Sequence, residues 1–312
     1  MRRCTRSAFV AGALAASAAP AHSQTATPIR VGVVPTETSA EAFYAKEMGF
    51  FAKAGLDADI RMIASASVVT TAVASNSVDV GWSSLVPIAI AHSKQIPFVV
   101  IAPASLYTSA APNAAVFVAA NSPIRSAKDL NGKIFAVTGL GTISEFGPRA
   151  WIDHNGGDSS TVHFVELQYS AMPDALTAGR IDAAYFTEPW LAIAKKNGRV
   201  LAYPFGAVAK DFLFGSWFTM SQWAGDHPDL VRKFAAAMRE TAVWANANEA
   251  KSAEILAKYT KIDPAVVATM VRVRFGDRLT PSMMQPEIDV AAKYGKFASF
   301  PASELIYSTN SR

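Results

Sequence analysis

The sequence predicts an α/β protein of two lobes, each a mostly parallel sheet flanked by helices, with a cleft between them. Three observations carry that prediction. Short apolar runs of strand length alternate with stretches of helix length, the pattern of parallel sheets joined by right-handed crossovers. The alternation occurs twice, in matched order and spacing. Beyond His227 the chain turns mostly helical, with apolar residues at helical spacing in Leu230, Phe234, Ala237, Met238, Ala242 and Trp244.

The repeat is clearest where "AVASNSVDVGWSSLVP" (Ala72 to Pro87) is set beside "ALTAGRIDAAYFTEPW" (Ala175 to Trp190). Asn76 and Gly179 fall where a left-handed helix C-cap is wanted. Val78-Asp79-Val80 then matches Ile181-Asp182-Ala183, and Trp82 matches Tyr185, so each strand ends in an aromatic with a hydroxyl close behind. Upstream, strands at Ile29–Val34 and Lys133–Thr138 each lead into a helix, at Ala40–Ala54 and Ile143–His154. Strands at Asp57–Ile63 and Val162–Leu167 follow. A further strand is expected at Phe212–Met220, and helices at Ala250–Tyr259, Pro264–Val271 and Pro281–Tyr294. These would cover the first lobe and return the chain across a hinge.

At 312 residues, 51% apolar and 17% charged, the chain can fill two cores of ordinary size. Its start reads differently. Arg2, Arg3 and Arg6 precede an apolar run from Ala8 to Ala19, and small residues follow to Ser23. This is the three-part pattern of a secretory signal peptide over residues 1–23, with cleavage expected between Ala21 and Gln24. The run is too short to span a bilayer, which needs roughly 20 residues. Export would remove Cys4, the only cysteine, and lower the formal charge from +4 to about +1. The basic balance is then no evidence for nucleic-acid binding. No later apolar run is long enough to cross a membrane, so a soluble mature protein is expected.

Catalytic signatures are sparse. His92, His154, His163 and His227 are scattered singles without metal-ligand spacing. There is no P-loop and no G-x-S-x-G elbow, and Gly139-x-Gly141 lacks the third glycine of a dinucleotide fingerprint. No enzyme activity, cofactor or metal is expected. Ligands of open parallel sheets bind beyond the carboxyl ends of the strands, where helix N-termini converge. That rule nominates four loops: Thr36, Thr38 and Ser39; Trp82, Ser83 and Ser84; Gly139, Gly141, Thr142 and Ser144; and Tyr185 to Trp190, with Glu188. In the third loop Thr142 and Glu145 fit a capping box, and the glycines would turn backbone N–H groups into the cleft. In the fourth, Pro189 suits a first helical position with Glu188 or Thr187 as cap; alternatively Glu188 and Trp190 project into the cleft. Trp82, Tyr185, Phe186 and Trp190 could form an aromatic wall, or pack as core.

Three stretches resemble the periplasmic solute-binding proteins of ABC importers, in particular the nitrate/sulfonate/taurine family, which includes thiamine-precursor binders. They are "FYAKEMGFFAKAGLDADI" (Phe43 to Ile60), "NSPIRSAKDLNGKIFAV" (Asn121 to Val137) and "MPDALTAGRIDAAYFTEPWLA" (Met172 to Ala192). The resemblance implies a type II-like fold. Lobe 1 would comprise residues 25–105 with 215–312, and lobe 2 residues 111–214. It implies a periplasmic monomer that closes on a small solute and docks on a membrane permease served by an ATPase. The fungal pyrimidine-synthesising relatives are enzymes, but their cysteine-rich segment is absent here. Helix N-termini favour a sulfonate or carboxylate, and no arginine sits within the four loops. Glu37 and Glu188 would repel an anion and could instead hold the amino group of a heteroaromatic such as a thiamine-precursor pyrimidine.

Overall fold

The computed structural model describes Met1 and residues 26–308. The expected signal segment after Met1, with Cys4 and the cleavage site, lies outside the described residues. The chain opens with β1 (Thr27–Val33), a 3-10 turn (Glu37–Ser39), α1 (Glu41–Glu47), α2 (Phe50–Lys53), β2 (Leu56–Met62), α3 (Ala66–Ala74), β3 (Val80–Ser83), α4 (Leu85–Ser93) and β4 (Phe98–Pro103). It crosses through β5 (Ser105–Thr108) into β6 (Ala114–Ala119), β7 (Ile134–Val137), α5 (Ile143–His154), β8 (His163–Glu166), α6 (Met172–Thr177), β9 (Ala183–Thr187), α7 (Trp190–Ala194) and β10 (Gly198–Ala202). It returns through β11 (Asp211–Leu213) to β12 (Ser216–Met220), α8 (Ser221–Asp226), α9 (Pro228–Ala247), α10 (Glu249–Thr260), α11 (Pro264–Val267), β13 (Arg274–Phe275) and α12 (Pro281–Gly295).

Two five-stranded sheets result, in the orders β2-β1-β3-β12-β4 and β8-β7-β9-β6-β10. Each has one reversed strand, β12 or β6, and four that run together. The match of β1, β2 and β3 with β7, β8 and β9 is the repeat read from the sequence. Its two aspartates do the same job. Asp79 takes the N–H of Arg30 at 2.8 Å and gives its own N–H to the Arg30 carbonyl at 2.9 Å. Asp182 makes the same pair with Ile134, at 2.9 Å both ways. Each locks the start of a central strand to its neighbour. Asn76 and Gly179 stand in the left-handed region before them (φ 56° and 66°), as helix C-caps require.

A third, three-stranded sheet, β11-β5-β13, lies at the crossover. The run expected as one strand over Phe212–Met220 is therefore two, β11 and β12, in different sheets. The break falls at Gly215, where a Cβ would stand 2.5 Å from Trp82 Nε1 and 2.7 Å from Ser105 Oγ; only glycine lets the chain pass there. The helix expected over Ala40–Ala54 also divides, at Gly49, whose φ of 76° ends α1 and restarts the chain as α2. The helix expected to reach Val271 stops at Val267.

The C-terminal helices cover the first sheet. α9 presents Val231, Phe234, Ala237, Met238 and Ala242 inward at helical spacing and packs on α1 and α2. Phe234 meets Trp217 of β12 edge-on at 5.4 Å. Phe43 of α1 stacks on Tyr259 of α10 at 4.4 Å. α12 lies against α4, β11 and α5, touching the helices of both sheets. Among the described residues no helix is long and apolar enough to cross a membrane.

Candidate functional site

Strand ends of both sheets face one small cavity, of about 40 Å³. The first sheet supplies Val34, Thr36 and Thr38 after β1, Ser65 and Ala66 after β2, and Trp82 and Ser84 at the end of β3. The second supplies Thr138, Thr142, Ile143 and Ser144 after β7, Tyr169 after β8, and Tyr185 and Thr187 in β9. Phe214, from the crossover, completes the wall. The lips touch: a Cβ on Gly139 would come within 3.2 Å of Ser67 Oγ across the cavity, and one on Gly141 within 3.7 Å of Ile90.

The lining is rich in hydroxyls and, among the described residues, holds no Asp, Glu, Lys, Arg or His. Thr36 and Thr38 share a hydrogen bond at 2.8 Å, and Thr142 and Ser144 another at 2.7 Å. Thr187 donates to the Asn113 carbonyl at 3.1 Å. Ser84 Oγ and Trp82 Nε1 are buried without a hydrogen-bond partner among the described residues. Trp82 leans on Phe214 at 6.3 Å. Burial raises the phenols of Tyr169 and Tyr185, so both stay neutral donors.

Three helices begin at the cavity, with Ser65, Ser84 and Thr142 as N-cap residues; Ser65 and Thr142 accept from their helices and Ser84 does not. Their donors are not equally free. At α4, Glu287 of α12 reaches in from behind and accepts the N–H of Leu85 at 2.5 Å and that of Val86. Pro87 has no N–H to give. Burial pushes the Glu287 carboxyl well above the usual carboxylate range, so it takes up these N–H groups as an acceptor, and Ser84 Oγ is what this helix start offers the cavity. At α3 and α5 the first helical residues, Ala66 and Ile143, line the cavity, and such positions have no intrahelical partner for their N–H.

Of the residues nominated from sequence, the structure brings Thr36, Thr38, Trp82, Ser84, Thr142, Ser144 and Tyr185 to the wall. Ser39 and Ser83 are turned to backbone carbonyls, of Val34 and Ser84. The glycine loop corrects the expectation made of it. The Leu140 N–H goes to Glu166 at 2.7 Å and the Gly141 N–H to Glu145 at 2.8 Å, so these donors face the second sheet's own carboxylates. Thr142 does cap α5, accepting from Ser144 N at 3.2 Å, while Glu145 reaches one residue further back than a capping box requires and also pairs with Arg149.

Glu188 lies behind the wall. Its carboxylate accepts from Ala192 at 3.0 Å and Val271 at 3.4 Å, so its side chain caps α7, but α7 begins one residue later than expected and Pro189 is the N-cap residue, not the first helical one. Burial raises it. Glu37 is likewise turned away, to Arg272 and to the Val273 N–H at 3.0 Å. Neither carboxylate is on hand for an amino group in the cavity. Trp190 sits behind Tyr169, stacked at 5.9 Å, and Phe186 packs on Phe117 at 5.6 Å in the core. Thr138 and Thr187, inside the loops Thr138–Phe146 and Tyr185–Trp190 nominated from sequence, also reach the wall, while the sequence reading missed Ser65, Ala66, Tyr169 and Phe214. The strand-end rule would have found Ser65 and Tyr169 had it been applied to β2 and β8 as it was to their neighbours.

Two lobes of matched topology, joined by crossing strands and closed over a small cavity bearing hydroxyls, define a solute-binding protein fold. A model of the family described as NMT1/THI5 like matches residues 37–253, and the chain belongs to that family. It is 32% identical to the taurine-binding periplasmic protein of Escherichia coli (strain K12) over 209 residues, 65% of this chain and 62% of that one. The match thus spans less than two thirds of that relative's length. Among solved structures, the alkanesulfonate-binding protein of Xanthomonas axonopodis pv. citri bound to MOPS superposes with a TM-score of 0.74 at 16% identity, covering 90% of this chain and 98% of that one. The periplasmic nitrate-binding protein of Synechocystis PCC 6803 gives 0.71 at 15%, covering 90% and 91%. The fold is that of the periplasmic binding proteins.

Proposed function

We propose that this protein is the periplasmic solute-binding component of an ABC importer. It is exported by its N-terminal signal, captures a small sulfonate- or carboxylate-type anion between two lobes, and hands it to a membrane permease and its ATPase. Residues 25–105 with 215–312 form one lobe and 111–214 the other, working as a monomer. The observation that carries the reading is the cavity itself, with hydroxyls and two open helix starts supplied by both lobes and no charged side chain on its wall. An oxyanion is held there by N–H and O–H donors and by the dipoles of α3 and α5, while Trp82, Tyr185 and Phe214 receive the organic part. Because both lobes donate, bound solute favours the closed form by its differential affinity. Hydroxyls without an adjacent base fit capture better than turnover.

The test is native mass spectrometry of protein purified without denaturation, followed by thermal-shift screening of sulfonates, carboxylates and aminopyrimidines. A ligand at about a hundredfold its Kd adds about 2.7 kcal/mol. Stabilisation by an organic anion, recovered intact after long incubation, supports the reading. Conversion of the solute would argue for an enzyme, and stabilisation by an aminopyrimidine alone would overturn the anion assignment.

A further inference from the structure

Residues 271–276 touch both ligand loops and the crossover sheet at once. Arg272 points its guanidinium at the Glu37 carboxylate, and also bonds the Glu249 carbonyl at 2.5 Å, Ser252 Oγ at 2.8 Å and the Tyr44 hydroxyl at 3.5 Å. On either side of it, the Val273 N–H donates to the second oxygen of Glu37 at 3.0 Å and the Val271 N–H to Glu188 at 3.4 Å. The next two residues are β13, paired with β5 of the crossover. Asn246 brackets Phe275 with two bonds of 2.9 Å, and the Gly276 N–H reaches the Ala104 carbonyl at 2.8 Å. The segment is a strap pinned along its whole length.

What the strap holds matters for the cavity. Glu37 stands between Thr36 and Thr38, whose hydroxyls bond each other on the cavity wall. Glu188 directly follows Thr187, another wall residue. The Glu37 N–H meets the Glu188 carbonyl at 3.4 Å, so the ligand loops of the two sheets touch at the strap. Both carboxylates are fully buried, and a buried carboxylate keeps one geometry only while its bonds are made.

We propose that Arg272, which does not touch the cavity, is a positioning residue for the ligand site: through Glu37 it sets the Thr36–Thr38 hydroxyl pair, and its strap holds that loop in register with Thr187 of the opposite sheet. The proposal rests on the cavity being the ligand site. It differs from a purely stabilising role in what it moves. A stabilising residue changes the melting temperature alone; Arg272 also changes the order of the loop and the affinity.

Two readouts test this on the mature protein. Amide hydrogen exchange is measured without ligand at residues 36–39 and 271–273, and the Kd for ethanesulfonate by calorimetry, for wild type, Arg272→Lys and Arg272→Met. Arg272→Met is expected to speed exchange at residues 36–39 at least tenfold and to raise the Kd at least tenfold, with Arg272→Lys recovering part of both. Should Arg272→Met not fold, the double variant Glu37→Gln/Arg272→Met leaves no buried charge unpaired and is expected to show the same two changes. Unchanged exchange at residues 36–39 beside a lowered melting temperature would overturn the proposal. If wild type binds no sulfonate, the functional reading fails, and the exchange data still decide whether Arg272 orders the loop.

Discussion

Replacing Glu37 with glutamine should change how stability depends on pH, by an amount the structure supplies. The Glu37 side chain is fully buried. Burial raises its carboxyl from 4.5 to about 7, against the opposing pull of Arg272 and the Val273 N–H and with a further push from Glu188. The folded protein therefore keeps this proton up to about pH 7, while the unfolded chain releases it near 4.5. Between those values the native state binds more protons, so stability falls as pH rises. At 1.36 kcal/mol per pH unit, this group contributes about 3 kcal/mol at acid pH, lost across pH 4.5 to 7 and constant above. Glutamine keeps the size and has no proton to lose. Urea unfolding of wild type and Glu37→Gln, at steps from pH 4 to 8, isolates the difference because the other titrating groups are common to both. The stability of wild type relative to the variant should decline by about 3 kcal/mol up to pH 7 and then level off. Parallel curves would refute the reasoning, since they would mean that Glu37 ionises alike in the folded and unfolded chains.

Ser84→Ala should leave the melting temperature almost unchanged, because Ser84 Oγ has no hydrogen-bond partner among the described residues. It should weaken anion binding by about 1.5–3 kcal/mol, the worth of a hydrogen bond to a charged group, read by calorimetry. Gly81→Ala should destabilise by about 1–3 kcal/mol in urea unfolding, since its Cβ would stand 2.6 Å from Val69 Cγ1 and 2.8 Å from Val73 Cγ2 of α3. Glu287→Ala strips acceptors from the first N–H groups of α4 and should cost about 1–3 kcal/mol. Glu287→Gln keeps an acceptor there and should recover most of that, with faster amide exchange at Leu85 and Val86 only in the alanine variant.

The parts of this molecule that were legible in the sequence are those set by local chemistry. Asn76 and Gly179 announce their left-handed caps, the matched triplets Val78–Val80 and Ile181–Ala183 the repeat, and Thr142 the start of α5. The repeat made the two-sheet plan readable, because matched strands must solve the same packing problem. Chain breaks were harder. Gly49 and Gly215 each sit inside a run of convincing helical or strand pattern, and the reason each run divides lies in a backbone angle or in a neighbour such as Trp82, not in the adjoining residues. The charge pattern around the cavity was only partly legible. Glu188 could be read as a helix cap, which it is, or as a ligand contact, and Glu37 as repelling an anion or holding an amino group, because their loops end beside a cleft. That they turn away depends on Arg272, Val271 and Val273, and the silencing of α4 depends on Glu287. Those partners lie between 83 and 236 residues away along the chain, beyond the reach of any local signal.

The most direct test of the central claim is calorimetric titration of the mature protein with ethanesulfonate, taurine, nitrate and an aminopyrimidine, repeated on Ser84→Ala. One-to-one binding of at least one of the anions is expected, weakened in the variant, with no comparable heat from the aminopyrimidine. A folded protein that binds none of the anions, or binds one equally well without the Ser84 hydroxyl, would contradict that claim.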